Sequence, residues 1–133
     1  MIFSRRKILW GVGYAGILII LWLSLAPLPD RALAVSGSDK LAHFAAWGGL
    51  SLWFMLLLRH RRQRQLLTWA FILLGGIVEI LQSCTTYRNG DWLDFAANSS
   101  GILVAAWIWP MVAAWPPVAR CFQLIPKKPT MRS

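Results

Sequence analysis

The chain has 133 residues, 57% of them hydrophobic and 14% charged, with a mean hydropathy of +0.52 and a formal net charge of +9. Soluble domains carry roughly a quarter charged residues, so this composition excludes an ordinary soluble fold and predicts a membrane protein. The basic residues lie in short clusters beside apolar runs, without a soluble unit to present them, so nucleic acid is not an expected partner.

In chain order, Arg5, Arg6 and Lys7 precede a first apolar run at about residues 8–26. The run exceeds the ~7–15 apolar residues of a typical signal-peptide core. The SRRK stretch and the Ala32-Leu33-Ala34 triplet are therefore read as a cytoplasmic flank and a loop, not as an export signal and a cleavage site. A second run covers about 41–58, a third 66–83 and a fourth 95–115, each near the ~20 residues that cross a ~30 Å hydrocarbon layer as a helix. None alternates as a barrel strand would, and backbone in lipid must be hydrogen-bonded within its own segment. The expected fold is an all-α integral membrane protein of four transmembrane helices, one domain over residues 1–133, with a basic cytoplasmic tail at 116–133.

Eleven of the fourteen cations fall on one side of that four-span arrangement: Arg5, Arg6, Lys7, Arg59, Arg61, Arg62, Arg64, Arg120, Lys127, Lys128 and Arg132. The other side receives Arg31, Lys40 and Arg88 together with all five acids, Asp30, Asp39, Glu79, Asp91 and Asp94. By the positive-inside rule both termini are cytoplasmic and the acids lie at the outer face of the membrane.

Small residues mark expected close approaches between helices: Gly48 and Gly49 on the second run, Gly75 and Gly76 on the third, and more weakly Gly11 and Ala15 on the first. Pro110 is expected to kink the fourth helix, and Pro116, Pro117 and Pro126 to mark its exit into the tail. Trp22, Trp92, Trp107, Trp109 and Trp115 lie toward span ends, as interfacial anchors do. Cys84 and Cys121 are expected near opposite surfaces, which precludes pairing within one chain.

The chemistry is confined to a few polar positions. Asp39 and His43 are four apart and Lys40 and His43 three apart, so one face at the outer end of the second helix carries them together. Glu79 lies about one turn inside the third span, with Gln82 three residues on, and an ionisable group inside a span is a functional-site hypothesis by default. Beyond the Asn89-Gly90 turn signal come Asp91, Asp94 and Asn98 at helical spacing. Three readings compete. The first is a hydrogen-bonded helix-packing network, in which Lys40 or Arg88 neutralises its acidic neighbours. The second is an outward-facing binding or catalytic pocket, with Gly48 and Gly49 as its floor. Here His43 with Glu79 or Asp94 forms an acid/base pair, since imidazole titrates near neutral pH. The third and weakest is a divalent-metal site: there is one firm histidine ligand and no HExxH-like spacing, so no metal or other cofactor is assigned. His60 belongs to the basic inner loop. No phosphate-binding glycine loop or nucleophile motif is present.

Asp39-Lys40-x-x-His43-Phe44, Glu79-x-x-Gln82, and then Arg88, Asp91, Asp94, Asn98 and Gly101 in that order resemble the VanZ-like membrane proteins. That family is named for a protein associated with resistance to the glycopeptide teicoplanin. The resemblance spans about residues 39–101. It implies a small polytopic membrane protein connected in some members with glycopeptide tolerance.

Two functions from different classes follow as expectations. One is a cell-envelope modulator whose outer pocket binds a membrane lipid, a cell-wall precursor or a glycopeptide through Asp39, Lys40, His43, Glu79, Gln82, Arg88, Asp91, Asp94 and Asn98. The other is a membrane enzyme in which His43, Glu79 and Asp94 are the catalytic candidates. They would move protons on a lipid-linked or phosphorylated envelope substrate whose anion is held by Lys40 or Arg88.

Overall fold

The computed structural model describes residues 5–27, 38–87 and 90–122. Among them the chain forms only helices: α1 (Arg5–Leu25), α2 (Ser38–Leu57), α3 (Arg61–Ser83), α4 (Trp92–Ala114) and the short α5 (Pro116–Cys121). Each long helix opens three to five residues ahead of its apolar run. Arg5–Lys7, Ser38–Lys40 and the polar residues after Arg61 are good or tolerable helix formers that a hydropathy pattern leaves out.

By length and composition α1, α3 and α4 can cross a membrane. The expectation of four spans is thus met by three. Helix α2 departs from it because its first two turns carry Asp39, Lys40 and His43. It is also the central helix, burying Trp47, Leu50, Ser51, Phe54, Met55, Leu56 and Leu57, whereas α1 buries only Gly13 and Ser24. The rest of the molecule packs around α2.

The core is aromatic at the centre. Phe71 of α3 meets the ring of Trp47 edge-on at 6.1 Å and that of Phe54 at 5.8 Å, while Trp10 of α1 lies 5.6 Å from Phe54. Leu50, Val78 and Ile102 fill the space between these rings. Leu18, Trp22, Leu73, Ile80, Trp107 and Met111 point outward, a lipid-facing pattern for helices that are apolar all round.

Glycines set the helix pairing, though not as the sequence suggests. Gly48 packs on the backbone of Gly101, where an added Cβ would lie 3.0 Å from the Gly101 carbonyl, and a Cβ on Gly101 would collide with the carbonyl oxygen of Phe44. Helices α2 and α4 therefore touch backbone to backbone. Gly75 and Gly76 of α3 also face α4, against Asn98 and Phe95, and Gly49 has nothing within 4 Å of its Cβ position. Gly49 thus sets no close helix contact, and the open space above it belongs to a groove along α2 and α4. On α1 the close approaches are Gly13 against Phe54 and Gly16 against Leu50, while Gly11, expected with Ala15 to mark a close approach to another helix, faces open space.

The basic end of the bundle is tied by arginines. Arg64 Nε donates to Met55 O at 3.0 Å, its Nη2 donates to Leu58 O, and Arg6 Nη2 donates to Leu57 O at 3.3 Å. These guanidinium groups satisfy the carbonyls that the last turn of α2 leaves without partners. The Arg64 guanidinium also stacks 3.8 Å from the Trp109 ring centroid, so Trp109 serves a packing role there. His60 precedes α3, its N–H donating to Gln63 Oε1 at 3.3 Å. Helix α4 continues through Pro110 to Ala114, and Pro116 and Pro117 open α5, as a residue without an N–H suits a first turn. Residues 116–121 of the expected tail are therefore helical.

Candidate functional site

The register of contacts along α2 and α4 brings the polar positions together. Residue 40 meets 91 and 94, residue 43 meets 98, and residue 48 meets 101, so the two helices run parallel from a common polar end. Helix α3 runs the opposite way and delivers Glu79 from its last turns to the same place.

Helix α4 begins here because Asp91 is its N-cap. Its Oδ1 accepts from Leu93 N–H at 2.9 Å, and its carbonyl accepts from the N–H groups of Asp94 and Phe95. The other oxygen, Oδ2, takes the Lys40 ammonium at 3.0 Å. These contacts hold the Asp91 carboxyl below the usual carboxylate range, the Leu93 N–H first and the Lys40 hydrogen bond next. Lys40 also reaches Asp94 Oδ1 at 3.2 Å, bridging the two acids of α4. Asp39 is not its partner, because neighbours one apart on a helix point in different directions.

Behind this surface pair lies a buried relay. Asn98, fully buried, donates from Nδ2 to Glu79 Oε1 at 3.3 Å, and its Oδ1 lies 2.9 Å from His43 Nδ1. Since the amide nitrogen is committed to Glu79, the amide oxygen must accept, and His43 Nδ1 is the protonated nitrogen. Glu79 Oε2 accepts from Asp91 N–H at 3.3 Å. The imidazole therefore turns Nε2 to its opposite edge. That nitrogen lies 3.7 Å from Asp39 Oδ1 and 3.8 Å from Asp94 Oδ2, too far for a direct hydrogen bond.

Asp39, Lys40, His43, Glu79, Asp91, Asp94 and Asn98 thus form one connected cluster. Gln82 does not enter it: its Nε2 donates to Ser24 O of α1 at 2.7 Å. Arg88 lies outside the described residues. Two further residues have a part that sequence reasoning missed. Ser83 Oγ donates to Glu79 O at 2.7 Å, and Gly90 sits so close to Glu79 O and Ser83 that a Cβ there would overlap both. Only the Asn-Gly pair, read as a turn signal, hints at Gly90.

Next to the cluster a shallow apolar groove of about 160 Å³ follows α2 and α4, lined by Phe44, Gly48, Leu52, Gly101, Val104 and Ile108. The absent side chains of Gly48 and Gly101 both bring the two helices together and leave room for this groove. A separate cavity of about 400 Å³ lies at the basic end, bounded by Arg5, Ile8, Leu9, Pro117, Arg120 and Cys121.

The profile of VanZ/LLP1 matches residues 6–113, which takes in the four long helices and the whole cluster. The chain belongs to the VanZ/LLP1 family. An uncharacterized protein of the fission yeast Schizosaccharomyces pombe is 34% identical over 106 residues, covering 77% of this chain and 63% of the yeast protein. The VanZ/LLP1 chain thus spans less than two thirds of that relative's length. No solved structure matches it.

Proposed function

We propose that this VanZ/LLP1 protein is a four-span protein of the cytoplasmic membrane with both termini inside, and that the cluster around His43 faces the outer surface as a ligand pocket. The charge asymmetry supports the orientation: eleven cations lie toward one side of the spans and the acids toward the other. The pocket binds the polar part of an envelope molecule, a lipid headgroup or a cell-wall precursor, and by doing so alters susceptibility to teicoplanin-like glycopeptides. One observation carries this reading. Four of the chain's five acids converge with one lysine and one histidine at a helix end, more ionisable groups than capping α4 requires. The groove beside the cluster favours an amphipathic ligand, its polar end on Lys40 and His43 and its apolar part along Phe44 and Leu52.

The hydrogen bond from His43 Nδ1 to Asn98 favours a second reading, a membrane enzyme acting on a lipid-linked or phosphorylated substrate. That bond holds the ring by Nδ1 and leaves Nε2 outward, the placement a general base requires. Substitution separates the two. His43→Gln and Glu79→Gln keep size and much of the hydrogen bonding but remove proton transfer, so a binding role survives in part and an enzymatic one is abolished. If both variants match wild type in glycopeptide susceptibility and every other envelope phenotype, the pocket reading is wrong.

A further inference from the structure

The outward edge of His43 is flanked by two carboxylate oxygens that stand just beyond hydrogen-bond distance of Nε2. Asp94 Oδ2 belongs to a side chain only 10% exposed and lies 3.8 Å from His43 Nε2. Asp39 Oδ1 approaches from the same helix at 3.7 Å. The three atoms, one from each residue, lie within 4.8 Å of one another. One nitrogen and two carboxylate oxygens, both ordinary ligand types for a divalent cation, thus converge from two helices at spacings that let a single ion touch all three.

We infer that Asp39, His43 and Asp94 form a binding site for one divalent cation, a role that rests on reading the cluster as a ligand pocket. Three features besides the ligand set point to a metal. The Glu79–Asn98–His43 relay holds the imidazole by its far nitrogen, the kind of outer-shell support that fixes tautomer and ring orientation in metal sites. Asp94 divides its oxygens, Oδ1 to Lys40 and Oδ2 toward His43, so the lysine does not occupy the metal position. Among the described residues the cluster holds four carboxylates, Asp39, Glu79, Asp91 and Asp94, against one lysine, an excess of negative charge that a divalent ion offsets.

One imidazole and two carboxylates make a mixed nitrogen and oxygen set suited to Mn²⁺ or Zn²⁺ more than to Cu⁺, which prefers sulfur. Three protein ligands leave coordination positions open on the Asp39 side, where the side chain is one third exposed. A phosphoryl oxygen entering there would meet the cation and, beside it, the half-exposed Lys40 ammonium. The sequence spacing hides this site because its third ligand comes from α4, 51 residues beyond His43.

The test uses the full chain in lipid nanodiscs with Mn²⁺ as the probe, read by equilibrium titration and by pulsed electron paramagnetic resonance. One Mn²⁺ per chain is expected, with the ¹⁴N modulation of a bound imidazole. His43→Gln removes the modulation, Asp39→Asn and Asp94→Asn each weaken binding at least tenfold, and Asn98→Ala weakens it about 10–100-fold through loss of ring support. Asp39→Asn is the safeguard against misfolding, since Asp39 is peripheral. Absence of stoichiometric Mn²⁺ binding by wild type, ¹⁴N modulation surviving His43→Gln, or unchanged affinity in Asp39→Asn overturns the site. The outcome is separable from the functional reading. Mn²⁺ bound as described by a protein whose His43→Gln variant has wild-type envelope phenotypes leaves the site standing and the function wrong. Loss of phenotype in a protein that never bound Mn²⁺ does the reverse.

Discussion

His43 Nδ1 and Asn98 Oδ1 lie 2.9 Å apart between two parallel helices, and this contact places a proton on Nδ1. Asn98 is completely buried, so its amide has no water to fall back on. Replacing it by Ala leaves both Glu79 Oε1 and His43 Nδ1 short of a partner, at about 1–3 kcal/mol for each orphaned group. Asn98→Ala should unfold earlier than wild type in detergent, and ¹⁵N spectra of His43 should show the tautomers mixing. An unchanged melting temperature would mean that the relay contributes no stability.

Acid should weaken the start of α4 by a defined route. The Asp91 carboxyl is held below its ordinary range by Leu93 N–H and then by Lys40, so the folded state favours the ionised form. A depressed folded pKa gives stability that is fully present above the unfolded value of ~3.9 and is lost as pH falls through the lower folded value. Thermal unfolding followed from pH 6 down to pH 2.5 should therefore show a loss beginning below about pH 4. In Asp91→Asn, which keeps the cap but cannot ionise, that part of the loss should vanish.

The glycines separate into those that set a backbone contact and those that do not. Gly101→Ala places a methyl group against the Phe44 carbonyl, a backbone atom that cannot rotate away. A destabilisation of about 1–3 kcal/mol is expected, with the polar cluster displaced along with α4. Gly49→Ala and Gly11→Ala enter open space and should stay within about 0.5 kcal/mol of wild type. Chemical unfolding of the three variants in one detergent compares them directly.

Topology is open to a thiol test, because Cys84 and Cys121 are both exposed. With both termini inside, a membrane-impermeant maleimide applied to intact cells labels Cys84 and spares Cys121. Labelling of Cys121 alone would invert the proposed orientation.

The class of protein and the grouping on α2 were legible in the sequence because both rest on local rules. Apolar runs of span length read as helices, and residues three and four apart share a helix face, which put Lys40 and Asp39 with His43. Contacts between helices were not legible to the same degree. Helices that are apolar nearly all round carry little information about which side faces which neighbour, so Gln82, one turn from Glu79, turned out to face α1. Lys40 found its partners on α4, a pairing that only the parallel register of two helices separated by α3 could reveal. Gly48 was recognised as a contact residue, but its partner Gly101 is visible only when the two backbones meet. Helix α2, the least membrane-like of the four long helices by composition, is the one that the other three enclose, and its polar opening is what lowers its apparent fitness as a span.

The parallel course of α2 and α4 has an electrostatic consequence. Both helices start at the polar cluster, so both direct the positive end of their aligned peptide dipoles into the same small volume. Each such end is equivalent to about half an elementary charge, so the pair supplies roughly one positive charge that no side chain carries. Asp39 sits in the first turn of α2 and Asp94 in the first turn of α4, where that field is strongest. The backbone itself therefore adds a positive field at the end of the bundle where the acids gather, and fraying of either first turn would weaken that field without altering one of the cluster's side chains.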